Sequence, residues 1–215
     1  MRVIAGIWRG QRLEEPRGGE VTRPTTDRAR EACASMLDSA LSSGIEGSRV
    51  LDAFAGSGAM GIELLSRGAA HCTFYDIDRN AAALVRRNLE HLRCPTACYR
   101  VHIGDVLAAA SRGRVGGGPF DAVLIDPPYA LGTAPAEQLV SALARAGALA
   151  LGCVVLFERS ASKTPALELD GFSTLRSKRY GSAAVDLLVR ERTGPAPAPS
   201  ASPSSTPPVQ KADFQ

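Results

Sequence analysis

The sequence predicts an α/β fold: a mostly parallel seven-stranded sheet with helices between its strands, an antiparallel C-terminal hairpin, and a small β-hairpin arm at the N-terminus. Three observations predict it. Through the middle of the chain, short β-branched runs alternate with helix-patterned stretches, the order a parallel sheet requires. The first of these runs passes through Gly56, Gly58 and Gly61 straight into a helix. Near the end, residues 172–180 and 184–189 are β-prone runs turning at Gly181-Ser182, which adds an antiparallel edge. The 215 residues divide into an arm at 1–22, one α/β domain at 23–192, and a disordered Pro/Ala/Ser-rich tail at 193–215 with little apolar content.

The arm, Arg2-Val3-Ile4-Ala5-Gly6-Ile7-Trp8-Arg9-Gly10-Gln11-Arg12-Leu13, is β-prone and broken by Gly6 and Gly10, as in a hairpin. Arg2, Arg9, Arg12 and Arg17 line it, and the only tryptophan, Trp8, lies among them. Trp8 packs beneath a solvated hairpin, or the arm is a basic, aromatic one that grips RNA phosphates and stacks on bases; both hold together if Trp8 packs while the arginines face RNA. Arg23-Pro24-Thr25-Thr26-Asp27-Arg28-Ala29-Arg30-Glu31 then enters a helix. Thr25 or Thr26 suits its N-cap and Asp27 its first turn. Ala29, Cys33, Met36, Leu37 and Ala40 recur at helical spacing and belong to the core. Arg23, Arg28 and Arg30 either decorate a capped helix entry or face a ligand.

The parallel strands fall at 48–53, 71–76, 98–103, 120–126 and 152–158. Open sheets of this kind hold ligands at the carboxyl ends of their strands. The first strand leads into Gly56-x-Gly58-x-x-Gly61, whose backbone can approach a ligand and whose helix offers free N–H groups. The second ends at Asp76, about 20 residues on, where a carboxylate can hold ribose hydroxyls. Asp78 caps the following helix, 79–93. After the third strand Asp105 either accepts from an adenine amine or caps the next helix. The fifth ends at Glu158.

The fourth strand, Phe120 to Ile125, closes with Asp126-Pro127-Pro128-Tyr129. Its prolines have no N–H and a fixed φ, so they stop the strand and leave Asp126 at its edge. One proline carbonyl is free to accept a hydrogen bond, and Tyr129 offers a ring for a planar base. Two acceptors and a stacking plate suit the exocyclic amine of a nucleobase. The glycine turn and ribose carboxylate fit NAD as well as S-adenosylmethionine. Hydride transfer has no use for Asp126-Pro127-Pro128-Tyr129, whereas amine methylation does. S-adenosylmethionine is therefore the expected cofactor and S-adenosylhomocysteine the product.

Formal charge is only +3, so a nucleic-acid footprint must come from local clustering. The N-terminus lacks an apolar targeting segment and no run is long enough to span a bilayer, so a cytoplasmic protein without a membrane anchor is expected. Cys33, Cys72, Cys94, Cys98 and Cys153 are an odd set that argues for free thiols. His91, Cys94, Cys98 and His102 have nearly the spacing of zinc ligands, but they fall on a helix and a strand rather than on two knuckles. No metal is expected.

Arg23-Pro24-Thr25-Thr26-Asp27-Arg28-Ala29-Arg30-Glu31 together with Asp52-Ala53-Phe54-Ala55-Gly56-Ser57-Gly58-Ala59-Met60-Gly61 resembles the RsmD family, bacterial enzymes that methylate guanine N2 in 16S rRNA. Asp126-Pro127-Pro128-Tyr129 is similar to that family's catalytic motif, and residues 4–13 to its N-terminal arm. The likeness covers about residues 1–192. It implies a Rossmann-like class I methyltransferase with a cofactor site at Asp52, Phe54, Gly56, Ser57, Gly58, Asp76, Ile77, Asp105, Val106 and Asp126. It also implies catalysis by Asp126, Pro127, Pro128 and Tyr129, and RNA contacts from Arg9, Arg12, Arg23, Thr25, Arg28 and Arg30. Where the family commonly has Glu at the ribose position, this chain has the shorter Asp76. The implied partner is 16S rRNA in the small ribosomal subunit or an assembly intermediate, bound by a monomer. Rival readings are an adenine-N6 methyltransferase, a protein-glutamine methyltransferase, an inactive RNA-binding assembly factor and an NAD-dependent reductase.

Overall fold

The computed structural model describes residues 1–16, 27–127 and 132–191. Along them run α1 (Asp27–Ala40), β1 (Arg49–Asp52), α2 (Ala59–Ser66), β2 (His71–Asp76), α3 (Arg79–His91), β3 (Tyr99–Ile103) and α4 (Val106–Ser111). They are followed by β4 (Phe120–Ile125), α5 (Ala134–Arg145), β5 (Leu149–Ser160), β6 (Phe172–Tyr180) and β7 (Ala183–Arg190). The expected tail at 193–215 and the candidate caps Thr25 and Thr26 lie outside the described residues.

One sheet takes the order β3-β2-β1-β4-β5-β7-β6. β1 to β5 pair in parallel, and β7 runs antiparallel to both β5 and β6. The hairpin enters with its second strand inward, because β7 carries the apolar run Ala184, Val185, Leu187, Leu188, all buried, whereas β6 is exposed from Ser173 to Arg179. β5 is longer than its expected span of 152–158: its antiparallel ladder with β7 continues to the pair Ser160↔Ala183. The expected helix 79–93 stops at His91, and Arg93 turns to φ 54. Cys98 belongs to a 3-10 turn, Thr96–Cys98, that precedes β3.

Strand side chains alternate between two cores. Val50, Ala122, Leu124, Val154, Leu156, Val185 and Leu187 pack on one face against α1, α2 and α3. Leu51, Val123, Ile125, Val155, Phe157 and Leu188 pack on the other against α4 and α5. A buried carboxylate, Asp186, pins the C-terminal half by accepting from Arg159 (2.6 and 3.2 Å), Ser177 (2.6 Å) and the Leu167 N–H (3.1 Å). Burial alone would raise its pKa, but these bonds hold it below the usual carboxylate value.

The arm is a narrow antiparallel loop joined at Arg2↔Arg12 and docked on α2. Buried Glu63 accepts from the N–H groups of Ile4 (2.8 Å) and Ala5 (3.0 Å). Ser66 accepts from the N–H groups of Ile7 and Trp8, through its carbonyl and its hydroxyl respectively. Val3, Trp8 and Leu13 join the α1–α3 core, so of the two readings of Trp8 the packed one holds. Among the described residues no helix is long and apolar enough to cross a membrane.

Gly6 lies where the arm touches α2. Its φ is +81°, and a Cβ there would come 1.7 Å from the Ser66 carbonyl oxygen. Gly6→Ala must lift the arm, and should cost about 1–3 kcal/mol by overpacking. Trp8 emission should shift to the red, with a lower midpoint in thermal unfolding. Unchanged emission and midpoint would show that the docking contact is not stabilising.

Candidate active site

The order β3-β2-β1-β4-β5 reverses direction between β1 and β4, and the crevice at such a switch point is where open α/β sheets take ligands. The loop leaving β1 is tied to both neighbours: the Ala53 N–H donates to the Leu124 carbonyl (3.0 Å) and the Ala55 N–H to the Tyr75 carbonyl (2.9 Å). The three glycines that follow serve three ends. Gly56 has φ +53° and open space where a Cβ would project, so the backbone itself faces the crevice. At Gly58, the N-cap of α2, a Cβ would lie 3.0 Å from a Val85 methyl. At Gly61 it would lie 2.4 Å from the Phe74 ring and 2.9 Å from Asp52 Oδ2, so this glycine lets α2 sit close on the sheet.

Asp76, at the end of β2, accepts from the Gly56 N–H through Oδ2 (2.8 Å) and from the Asp78 N–H through Oδ1 (2.9 Å). The carboxylate thus props the glycine turn and remains at the rim with further lone pairs. Beside it Ile77 is 75% exposed, an unusual position for a large apolar side chain. Asp105 Oδ1 caps α4 by accepting from the Leu107 (2.8 Å) and Ala108 (3.3 Å) N–H groups, so the cap is made. Val106 packs in the core beneath it, and Phe54 packs partly against the same core. Ser57 lends its carbonyl to Asn88 (3.2 Å).

Three carboxylates crowd the switch point. Asp52 is buried and accepts from the Gly61 N–H (3.2 Å). Loss of solvation, with Asp76 adding repulsion, pushes its pKa to about 7 against the opposing Gly61 bond. Asp126 follows β4 as an exposed residue at the carboxyl edge of that strand, while the next residue, Pro127, is buried. The surrounding protein strips part of its solvation, and Glu158 and Asp52 repel its charge, so its pKa stands well above the ordinary carboxylate value. Glu158 was not among the residues expected in the site. The β4–β5 register ends at Ile125↔Phe157, so the next step sets Asp126 beside Glu158. The signal was present in the sequence: Glu158 continues the alternation of Val154 and Leu156 at a carboxyl edge, as Asp52 does after Val50 and Asp126 after Leu124.

The expected RNA contacts separate. Arg9, Arg12 and Arg28 are exposed, and Arg9 and Arg28 line one cleft of about 690 Å³ with Arg2, Asp27 and Glu31. Arg30 departs from the expectation. It is 3% exposed and donates to the Arg2 carbonyl (2.7 Å) and to Asp27 (2.8 Å), binding the arm to α1. A guanidinium so buried cannot reach a phosphate. Arg23, Thr25, Pro128 and Tyr129 lie outside the described residues. Of the zinc-like set, His102 stacks on Tyr75 at 4.6 Å and Cys94 is buried. Among the described residues no group of three or more His, Cys, Asp or Glu is placed to hold a metal ion.

The family model described as conserved hypothetical protein 95 matches residues 1–189. Ribosomal RNA small subunit methyltransferase D of Escherichia coli K12 is 33% identical over 194 residues, covering 90% of this chain and 92% of that protein. The protein of the same name from Haemophilus influenzae is 33% identical, covering 84% and 89%. Among solved structures, a provisionally assigned methyltransferase from Escherichia coli superposes with a TM-score of 0.73 at 34% identity, covering 89% of this chain and 98% of the other. The sheet order and these likenesses identify the Rossmann-like class I methyltransferase fold.

The buried Asp52 carboxyl makes stability depend on pH with a definite sign. Its pKa rises from 3.8 to about 7 on folding, so between these values the folded chain holds a proton that the unfolded chain has released. Stability from this group is present below about pH 4 and lost as pH rises through 7. Asp52→Asn removes that dependence and keeps an acceptor for Gly61. Its melting temperature should exceed that of the unaltered protein at pH 8, with the difference closing towards pH 4. A gap that stays constant over this range would contradict the assignment.

Proposed function

This chain belongs to the conserved hypothetical protein 95 family, and from that membership we propose that it is an S-adenosylmethionine-dependent methyltransferase of small-subunit ribosomal RNA that modifies the exocyclic N2 amine of a guanine. The observation that carries the reading is the position of Asp126, exposed at the carboxyl edge of β4 at the β1–β4 switch point, where the glycine turn leaving β1 has free space over Gly56. The small-subunit methyltransferase D relatives favour the rRNA substrate over the rival readings.

The residues present fit the cofactor. The turn at Gly56, Ser57 and Gly58 would accommodate its amino-acid end, Asp76 would accept from the ribose hydroxyls, and Ile77 and Asp105 would hold the adenine. Bound there, S-adenosylmethionine supplies a methyl group on a sulfonium that departs as a neutral thioether. The guanine amine is a weak nucleophile because its lone pair is delocalised into the ring. Asp126 and the Pro127 carbonyl accept its two N–H bonds and turn that lone pair towards the methyl group. Positioning and electrostatics therefore supply most of the rate gain. As the N–C bond forms, the amine releases a proton, and Asp126, with its raised pKa, is a better acceptor than an ordinary aspartate. The target base leaves its stack to reach this crevice, and Tyr129 stacks on it. Arg9, Arg12 and Arg28, with Arg23 and Thr25, hold phosphates around it. The reaction takes place in the cytoplasm, on the small subunit or an assembly intermediate, with the enzyme acting as a monomer and without a metal ion.

Methyl transfer from labelled S-adenosylmethionine to small ribosomal subunits from a strain lacking this gene tests the reading. N2-methylguanosine should be the product by mass spectrometry. At saturating cofactor Asp126→Ala should slow transfer by about a hundredfold or more, the scale of losing one preorganised polar contact. N6-methyladenosine would overturn the base assignment, and near-normal turnover of the variant would overturn the role of Asp126. Asp76→Ala should weaken cofactor binding by about 1.5–3 kcal/mol in calorimetry, the range for hydrogen bonds to a charged group. Unchanged affinity would remove Asp76 from the ribose.

A further inference from the structure

We propose that the face of β6 bearing Arg176 and Lys178 is an RNA-docking surface that holds phosphates beside the target nucleotide. The inference rests on the rRNA methyltransferase reading above and adds a strand that this reading does not use.

Three observations converge. β6 is the outer strand of the sheet, exposed from Ser173 to Arg179, and carries Arg176, Lys178 and Arg179 with no acidic residue. Second, the register carries the active-site row out to this strand. Asp126 follows Ile125, which pairs with Phe157, so it stands beside Glu158; Glu158 pairs with Val185, and Val185 pairs with Lys178. Cross-strand partners point to the same face. Val185 and Leu187 belong to the α1–α3 core, so their partners Lys178 and Arg176 face the same side as Asp126. Three strand spacings separate Asp126 from Lys178, about 14 Å. An extended lysine and one flipped nucleotide together cover that span. Consistent with this placement, Cys33 on α1 lies within electrostatic reach of Asp126, Glu158 and Lys178 alike.

Third, the charges are sorted along the row. Asp52 ends β1, Asp126 follows β4 and Glu158 stands two residues before the end of β5, and on this face of the sheet the cations begin on β6. A nucleotide whose amine sits on the acids directs its backbone away from them, towards the cations. Among the described residues neither Arg176 nor Lys178 forms an ion pair, and Lys178 Nζ is held 5.3 Å above the Tyr180 ring, which leaves its N–H groups for a phosphate. The competing account is that these charges only protect a sheet edge from pairing with another copy.

The test is the doubly reversed R176E/K178E variant of the full chain, with in vitro transcribed small-subunit rRNA as the probe. Arg145→Glu, an exposed charge at the far end of α5, serves as the control. RNA affinity should fall about tenfold or more in R176E/K178E. The slope of log affinity against log salt should shrink by about two, one for each lost phosphate contact. The KM for RNA should rise in parallel, while cofactor affinity and the control stay unchanged. Equal RNA affinity and equal salt slope in variant and unaltered protein would overturn the β6 assignment. So would a neutral R176S/K178S variant that dimerises in size-exclusion chromatography while binding RNA normally, since removing the charges then identifies edge protection. If the unaltered protein shows no salt-dependent binding either to the transcript or to small subunits from a strain lacking this gene, the rRNA reading itself falls, and with it this inference.

Discussion

Two backbone N–H groups, those of Gly56 and Asp78, converge on one carboxylate, Asp76, and the ligand crevice depends on that convergence. Gly56 bends the chain through a positive φ with nothing packed over it, so the turn has no side chain to hold it in place. Asp76 anchors it from the next strand, and the same carboxylate fixes the start of α3 by holding Asp78, which in turn caps that helix through the Asn80 N–H (2.9 Å). A single residue therefore aligns the ends of β1 and β2. The short side chain suits this duty: the aspartate reaches the turn backbone directly from the strand end.

The site built on this frame concentrates negative charge. Asp52, Asp126 and Glu158 lie on three adjacent strands and on one sheet face, an arrangement that destabilises the apo protein through desolvation and mutual repulsion. Such an arrangement is retained where a positively charged or hydrogen-bond-donating ligand offsets it. A sulfonium cofactor is of that kind. Stability is thus surrendered at the crevice and recovered in the two cores, in the Asp186 cluster and in the arm.

Much of this was legible from the residues alone. Alternation of β-branched and helical runs located the central strands to within a few positions, because a buried parallel strand leaves little choice of composition. The glycine turn, Asp76 and the proline stop after Asp126 were visible because each depends on local backbone chemistry. What escaped depends on contacts distant in sequence. Arg30 looked like a helix-entry cation, and only the docked arm, bringing the Arg2 carbonyl to it, makes it a buried tie. Trp8 was open to packing or to stacking on a base until the docked arm placed it in the α1–α3 core. Glu158 entered the site through the β4–β5 register, and the inward position of β7 follows from which hairpin strand is the more apolar, a comparison between elements.

The inward position of β7 has a consequence for biogenesis. The last strand of the domain in sequence is not the last in space: it fills the gap between β5 and β6. While the chain is being synthesised, β5 keeps an unpaired edge until residues 183–190 have cleared the exit tunnel. A nascent chain stalled or truncated before that point would present apolar β5, Cys153 to Phe157, as an open template for aggregation.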